Sequence, residues 1–190
     1  MPSPSSQVPT SEAPVVSAAE PDWSRETPRR FWDPSRKMLR ALRAYQRGGP
    51  FKGLAVLRHR FWSAVAGCDV PITARIGGGF LLPHPVGVVI HPKAVIGPNC
   101  LVMQNATLGG NRGDAVPTLG GHVDVGPGAQ VLGGVTLGDH AVIGANAVVL
   151  IDVPAGRVAA GVPARLLPRK PEAAGKGIAE DAARAAAAQV

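Results

Sequence analysis

The sequence predicts a mainly β protein, a parallel β-helix of hexapeptide repeats behind a short N-terminal helical segment, and three observations carry that expectation. From Ile90 to Pro154 a six-residue period runs with one interruption: IHPKAV, IGPNCL, VMQNAT, LGGNRG, a five-residue insertion DAVPT, then LGGHVD, VGPGAQ, VLGGVT, LGDHAV, IGANAV and VLIDVP. The first slot is a large aliphatic residue in every hexad, as at Ile90, Ile96, Val102, Leu108, Leu119 and Val131. The fifth slot is small or β-branched and apolar, as at Ala94, Cys100, Ala106, Val123 and Ala129.

Such a period matches neither a coiled-coil heptad nor the longer repeats of paired helices. Each hexad is therefore one side of a prism, three sides make a coil, and stacked coils bury the aliphatic slots in one continuous core. The second slot is Gly at 97, 109, 120, 126, 138 and 144, and the fourth is mostly Asn, His, Gly or Asp. These residues tolerate positive φ, so each side is expected to end in a tight corner.

Four segments follow from composition. Residues 1–27, rich in Pro, Ser, Ala and Glu without periodicity, are expected to be a disordered leader. Residues 28–66 form the helical segment. Its first helix runs from Phe31 to Arg47, with Asp33 and Pro34 at the start and Gly48-Gly49-Pro50 as the stop, and its second from Phe51 to Ala66. Too short to bury both faces alone, the two are expected to pack on the first coil. Residues 67–167 form the prism, and 168–190 a polar, Ala-rich tail.

The formal charge of +7 comes from the stretch between Arg25 and Arg60, where eleven Lys and Arg precede the repeats. With no aromatics in the hexads from Ile90 to Pro154 for base stacking, a solvated helical face is favoured over nucleic-acid binding. No basic start followed by an apolar run marks the N-terminus, and no apolar stretch approaches a membrane span. The two cysteines, Cys68 and Cys100, are expected as buried thiols in a reducing compartment, and the protein as cytoplasmic.

Run backwards from Ile90 without a slip, the register continues as ITARIG, GGFLLP and HPVGVV, which puts Gly78 and then His84 in the aliphatic slot. His84 is flanked by Pro83 and Pro85 and is the histidine that the repeat does not explain. His122 and His140 fall in the fourth slot, where His replaces Asn structurally. His91 takes a slot usually given to Gly, and His59 lies on a basic helix as a solvated side chain.

The run from Asp69 to Leu167, with CDVPITARIGGGFLLPHPVGVVI, MQNATLGG, GAQVLGGVTLGDHAVIGANAVVL and AGVPAR, resembles the serine O-acetyltransferase family of left-handed β-helix, hexapeptide-repeat acyltransferases. The resemblance implies a left-handed prism and a homotrimer. It implies acetyl-CoA as co-substrate, lying along a groove between neighbouring prisms and contacting Gly109, Gly110 and the corner around Ala145. At the related corner Pro127 stands where the family usually has Ala, which removes an N–H donor. The position of His84 is that of the family's general base, and the position of Asp69 is that of the aspartate that orients it. No metal and no protein nucleophile are implied.

Two departures bear on the acceptor. The family's insertion loop ends in Arg-His-Pro, and these residues help hold serine; here the stretch is Ala115-Val116-Pro117, and Arg112 is the one nearby cation. The long N-terminal helical domain that carries further serine contacts and joins two trimers is reduced to two short helices. Three readings follow: acetyl transfer to serine on the route to cysteine, acetyl transfer to a sugar or natural-product hydroxyl, and a non-catalytic assembly module. His84 and Asp69 argue against the third, and the loop leans away from a tightly held amino acid.

Overall fold

A computed structural model describes residues 16–111 and 114–168. Three parallel ladders form the sides of a prism. The chain passes from sheet I, with strands β1 (Arg75–Ile76), β3 (Val95–Ile96), β6 (Thr118–Leu119) and β9 (Thr136–Leu137), to sheet II and then to sheet III. Sheet II holds β4 (Leu101–Val102), β7 (Asp124–Val125), β10 (Val142–Ile143) and β12 (Val158–Gly161); sheet III holds β2 (Val89–Ile90), β5 (Thr107–Gly109), β8 (Gln130–Leu132) and β11 (Val148–Val149). First-slot residues stack directly, Ile90 on Leu108 on Val131 on Val149 in sheet III, and all four are buried. The last coil closes when β13 (Ala164–Leu166) turns back antiparallel on β12.

The corners divide the labour between two slots. Fourth-slot residues hold the left-handed conformation, with φ of 59° at Asn99, 53° at His122, 58° at His140 and 54° at Asn146. Second-slot glycines do not. A Cβ on Gly97 would run into the carbonyl of Gly120 in the next coil, and one on Gly138 would lie 2.5 Å from the Ala155 nitrogen. Glycine is needed at the second slot because successive coils touch there, so the expectation of positive φ holds for the fourth slot only.

The backward register slips. Ile76 pairs with Ile96 and Leu81 with Leu101, so the first coil reads Ile76, Leu82, Ile90, with eight residues in its last side instead of six. Phe80 takes the fifth slot and is fully buried. Gly78 and His84 therefore leave the aliphatic slot they were expected to fill. The two extra residues and Pro83 and Pro85 bulge His84 outward into solvent, because a proline has no N–H to give to the ladder.

Helix α1 (Pro34–Arg47) begins as the sequence indicates, with the Asp33 side chain accepting from the Arg36 N–H, and sends Met38, Leu39 and Leu42 into the core of the first coil. Helix α2 (Lys52–Ala66) ends at Gly67, in left-handed conformation at φ 66°. It buries Ala55, His59 and Ala66 and packs Trp62 partly against the core, while Leu54, Leu57, Phe61 and Val65 stand exposed. His59 is not solvated as expected: it is 5 % exposed, and burial lowers its pKa and keeps it neutral.

Residues 16–27, expected as part of a disordered leader, are ordered against the prism. Residues 1–15 lie outside the described residues, but Val16–Thr27 crosses the corner between sheets I and II and ends in a 3-10 turn, Trp23–Glu26. The Asn99 amide donates to the carbonyls of Ser17 and Glu20 at 2.7 Å each and accepts the Asp22 N–H at 2.8 Å. Glu26 takes Nε and Nη2 of Arg43 at 3.0 and 2.7 Å and also the Phe80 N–H, while Arg43 caps the carbonyls of Ile76 and Gly77. This buried pair is fully hydrogen-bonded, the condition under which burial of charge is tolerated. Composition conceals it because a few anchors suffice to order a polar strap. The tail, from residue 169 on, lies outside the described residues.

Both cysteines are free; burial pushes the Cys68 thiol up to about 11 and the Cys100 thiol up to about 12, so both stay protonated. At the strapped corner His122 and His140 meet Nδ1 to Nδ1 at 2.9 Å. Burial first, then the neighbouring His140, depresses His122 to about 4.

Gly97→Ala is expected to destabilise the prism by roughly 1–3 kcal/mol or more, since the methyl group must push two coils apart; denaturant titration measures it, and a near-neutral result would remove close approach as the reason for the second-slot glycines. The histidine pair gives a pH dependence. Below about 6.5 the unfolded chain protonates His122 whereas the folded chain does not until about 4, so this group's contribution to stability falls as pH drops through that window. His122→Asn, which keeps a side chain suited to the left-handed corner, should show a smaller fall in Tm between pH 7 and 5 than the parent.

Candidate active site

Two corners carry the candidate residues. Along the corner between sheets II and III, each coil donates an N–H to the coil before it: Gly87 to the Gly67 carbonyl, Asn105 to Val86, Gly128 to Gln104 and Asn146 to Pro127, all within 2.8–2.9 Å. The bulged His84 loop, Gln104, Pro127 and Ala145 thus form one row down this corner, each a coil below the last. Asp69 joins the same end of the prism: it bridges to Val89 at the top of sheet III, its N–H bonded to the Val88 carbonyl at 2.8 Å. Both His84 and Asp69 are exposed. No hydrogen bond joins their side chains in the free protomer, a looseness usual in sites that tighten only around substrate.

The second corner, between sheets III and I, is a groove. The insertion loop leaves here after Asn111, with Gly110 packed under Ala115 and Val116, and with Lys93 paired to Asp114 at 2.6 Å across its exposed side. Below the loop a groove of about 510 Å³ is lined by Asn111, Leu132, Gly133, Gly134, Val135 and Leu150 to Asp152. Gly109 and Gly110 stand at its upper rim, Gly109 in register with Leu132. Apolar side chains beside bare glycine backbone suit a slender chain carrying amide groups, which is the chemistry of a pantetheine arm.

The sequence candidates therefore fall into two sets. His84, Asp69, Pro127 and Ala145 share one corner, and Gly109 and Gly110 share the other. The corners are separated by the width of sheet III, about 16 Å for five residues at about 3.3 Å each. Arg112 lies outside the described residues. Sequence reasoning missed the groove floor, although two signals were present: Gly133-Gly134 fall one slot later than the glycines of other hexads, and Leu150-Ile151 put apolar side chains in outward slots. It also missed Gln104, whose Oε1 is buried with no partner among the described residues, in the row below His84. Among the described residues no group of three or more His, Cys, Asp or Glu could hold a metal ion, and no helix is long and apolar enough to cross a membrane.

A continuous prism of hexapeptide coils, with a histidine bulged from one corner and a glycine-floored groove at the next, has the fold of a left-handed β-helix and is similar to the hexapeptide-repeat transferases. Residues 117–150 match the family model for the bacterial transferase hexapeptide (six repeats). Within that class the chain resembles the serine acetyltransferases. It is 42 % identical to that of Synechococcus elongatus over 108 residues, 55 % of this chain and 44 % of that protein. To that of Escherichia coli it is 37 % identical over 139 residues, 69 % and 51 %. Among solved structures, soybean serine acetyltransferase complexed with serine superposes with a TM-score of 0.60 at 38 % identity, covering 70 % of this chain and 56 % of that one. A serine acetyltransferase in complex with CoA gives 0.62 at 34 %, covering 72 % and 58 %. The chain spans about half the length of the curated relatives it matches.

A general base at His84 would make His84→Ala lower turnover about 10²–10⁴-fold, with Asp69→Asn losing less. Parent-level turnover in His84→Ala would sink the assignment of the base.

Proposed function

We propose that this chain is an acetyl-CoA-dependent O-acetyltransferase of the serine acetyltransferase kind, transferring the acetyl group to the hydroxyl of serine or of a small serine-like acceptor. The observation that carries the proposal is the bulge at His84. A period kept through ten hexads is broken by two residues at the one histidine that then stands free at a corner, in the row of Pro127 and Ala145. Similarity to proteins named serine acetyltransferase, one solved with serine and one with CoA, supports the same reading.

The chemistry needs a base and a held thioester. The His84 imidazole takes the acceptor's hydroxyl proton as the oxygen attacks the thioester carbonyl. Collapse of the tetrahedral intermediate expels the CoA sulfur, which takes the proton back from the imidazolium, leaving an O-acetyl ester and free CoA thiol. Asp69, one coil up, is the carboxylate that orients the ring and stabilises its cation. In the groove, Gly109, Gly110, Gly133 and Gly134 let pantetheine approach the backbone. Because base and groove sit on different corners, we take the working unit to be a homotrimer in which one protomer's His84 corner faces its neighbour's groove. Two protonated, unpaired thiols support placement in the cytoplasm.

A second reading, in which a sugar or natural-product hydroxyl is the acceptor, is favoured by the loop. Selecting serine calls for a cation facing its carboxylate, ideally a bidentate Arg. Ala115 and Val116 offer none, and the charged side chain the structure places in the loop is Asp114, already held by Lys93. Arg112 is the remaining candidate.

Turnover of acetyl-CoA against a panel of hydroxyl acceptors, read by thiol release, separates the two. Serine is expected to bind weakly, and Arg112→Ala to raise its KM with less effect on kcat, as for an interaction made equally in ground and transition states. A serine KM in the low-millimolar range or below, unmoved by Arg112→Ala, would show that another part of the chain holds the carboxylate, and serine would become the firm acceptor.

A further inference from the structure

Helix α2 carries an outward face that neither the prism nor the proposed chemistry uses. At about 100° per residue, Leu54, Leu57, Phe61 and Val65 fall within an arc of roughly 80°. All four are solvent-exposed, Leu57 by 66 % and Phe61 by 57 %, on the side of the helix away from Ala55, His59 and Ala66. The face continues into α1's approach. Phe61 and Trp32 each set a ring edge against Trp62, at 5.0 and 5.7 Å between centroids, and Lys37 lies over both Trp62 and Phe31. Phe31 is 89 % exposed and Trp32 62 %.

The segment that carries this face is strongly cationic, although Arg25 and Arg43 are buried against the prism. Between Trp23 and Ala66 eleven Lys and Arg stand against two acids, Glu26 and Asp33, a net +9 in a chain whose total is +7. Both acids are already paired, with Arg43 and Arg36. Arg58 lies beside the apolar arc and Arg60 on its far flank, both exposed.

This combination selects its occupant. A second copy docked face on face would set two such segments against each other, which like-charge repulsion opposes. No stretch of this chain is acidic enough to cover the face: residues 1–15 hold one acid, and residues 169–190 hold four bases and three acids. A nucleic acid would satisfy the arginines and could stack on the rings, but it has no place for the aliphatic Leu54, Leu57 and Val65. An anionic lipid leaflet satisfies all of it, with apolar side chains entering the headgroup boundary, aromatic rings at its level and arginines on the phosphates.

We propose that α2 is an interfacial helix that seats the protein on an anionic lipid surface, with Leu54, Leu57, Phe61 and Val65 inserted and Arg58 and Arg60 on the headgroups. This docking does not depend on the acetyl-transfer reading, and its test is read without turnover.

The full-length chain is incubated with vesicles of phosphatidylcholine alone and with vesicles containing one third phosphatidylglycerol, and the bound fraction is taken by flotation over a salt series. Anionic vesicles should bind at least roughly tenfold tighter, and binding should weaken as salt rises. Leu57→Asp/Phe61→Asp should abolish binding, and Arg58→Glu/Arg60→Glu should weaken it about 25-fold or more, at about fivefold per basic residue. Both variants should keep the parent's mass in light scattering. Absence of binding to anionic vesicles, or equal binding to both kinds, overturns the proposal. So does a loss of oligomer mass in Leu57→Asp/Phe61→Asp, which would make the face a contact between copies, or retention by a DNA duplex in preference to the anionic vesicles at equal salt. If the apolar pair fails to fold, the arginine pair, at exposed positions, decides.

Discussion

Coil-on-coil stacking at the spacing of hydrogen-bonded strands, about 4.8 Å, is the constraint on which the rest of the structure depends. Once the Gly120 carbonyl must pass Gly97 with no room for a Cβ, and Asn99, His122 and His140 must turn left-handed above one another, every coil has a single way to lie on the next. Extra residues cannot be absorbed inside such a frame. They have to leave it outward at a corner, and the chain does so twice: in the eight-residue side that bulges His84, and in the loop after Asn111. Groups available for chemistry therefore sit at interruptions of the period, where a side chain is free of the stacking that fixes all the others.

Much of this was legible because the period states it directly. Alignment of Ile90, Leu108, Val131 and Val149 is what the hexads require, and Asp33, Gly48 and Gly67 mark the helix ends as capping chemistry demands. His84 was singled out because a strict count of six put it in the core, whereas the Leu81 to Leu101 pairing shows that it leaves the core by a slip of two. The leader misled because composition weighs every residue alike, while order in Val16–Thr27 rests on Glu26, Arg25 and Asp22 meeting Arg43 and Asn99 from distant parts of the chain. Nor could His59 be placed from charge pattern alone, since it shares the inward side of α2 with Ala55, Ala66 and the partly buried Trp62. The groove was hidden for a related reason: its apolar walls, Leu150 and Ile151, stand in outward slots that a core-seeking reading passes over.

Gly67 is where helix and prism meet. It caps α2 in left-handed conformation, and its carbonyl takes the Gly87 N–H as the first rung of the corner ladder that runs on through Val86, Gln104 and Pro127. A Cβ there would touch Val86, two residues from His84. The Gly87 to Gly67 hydrogen bond joins the helix cap to the first coil. Val65, the last member of the apolar arc, is two residues from the cap, so the arc ends where the corner ladder begins, and the chain passes within a few residues from an exposed helical face to the stacked frame of the prism.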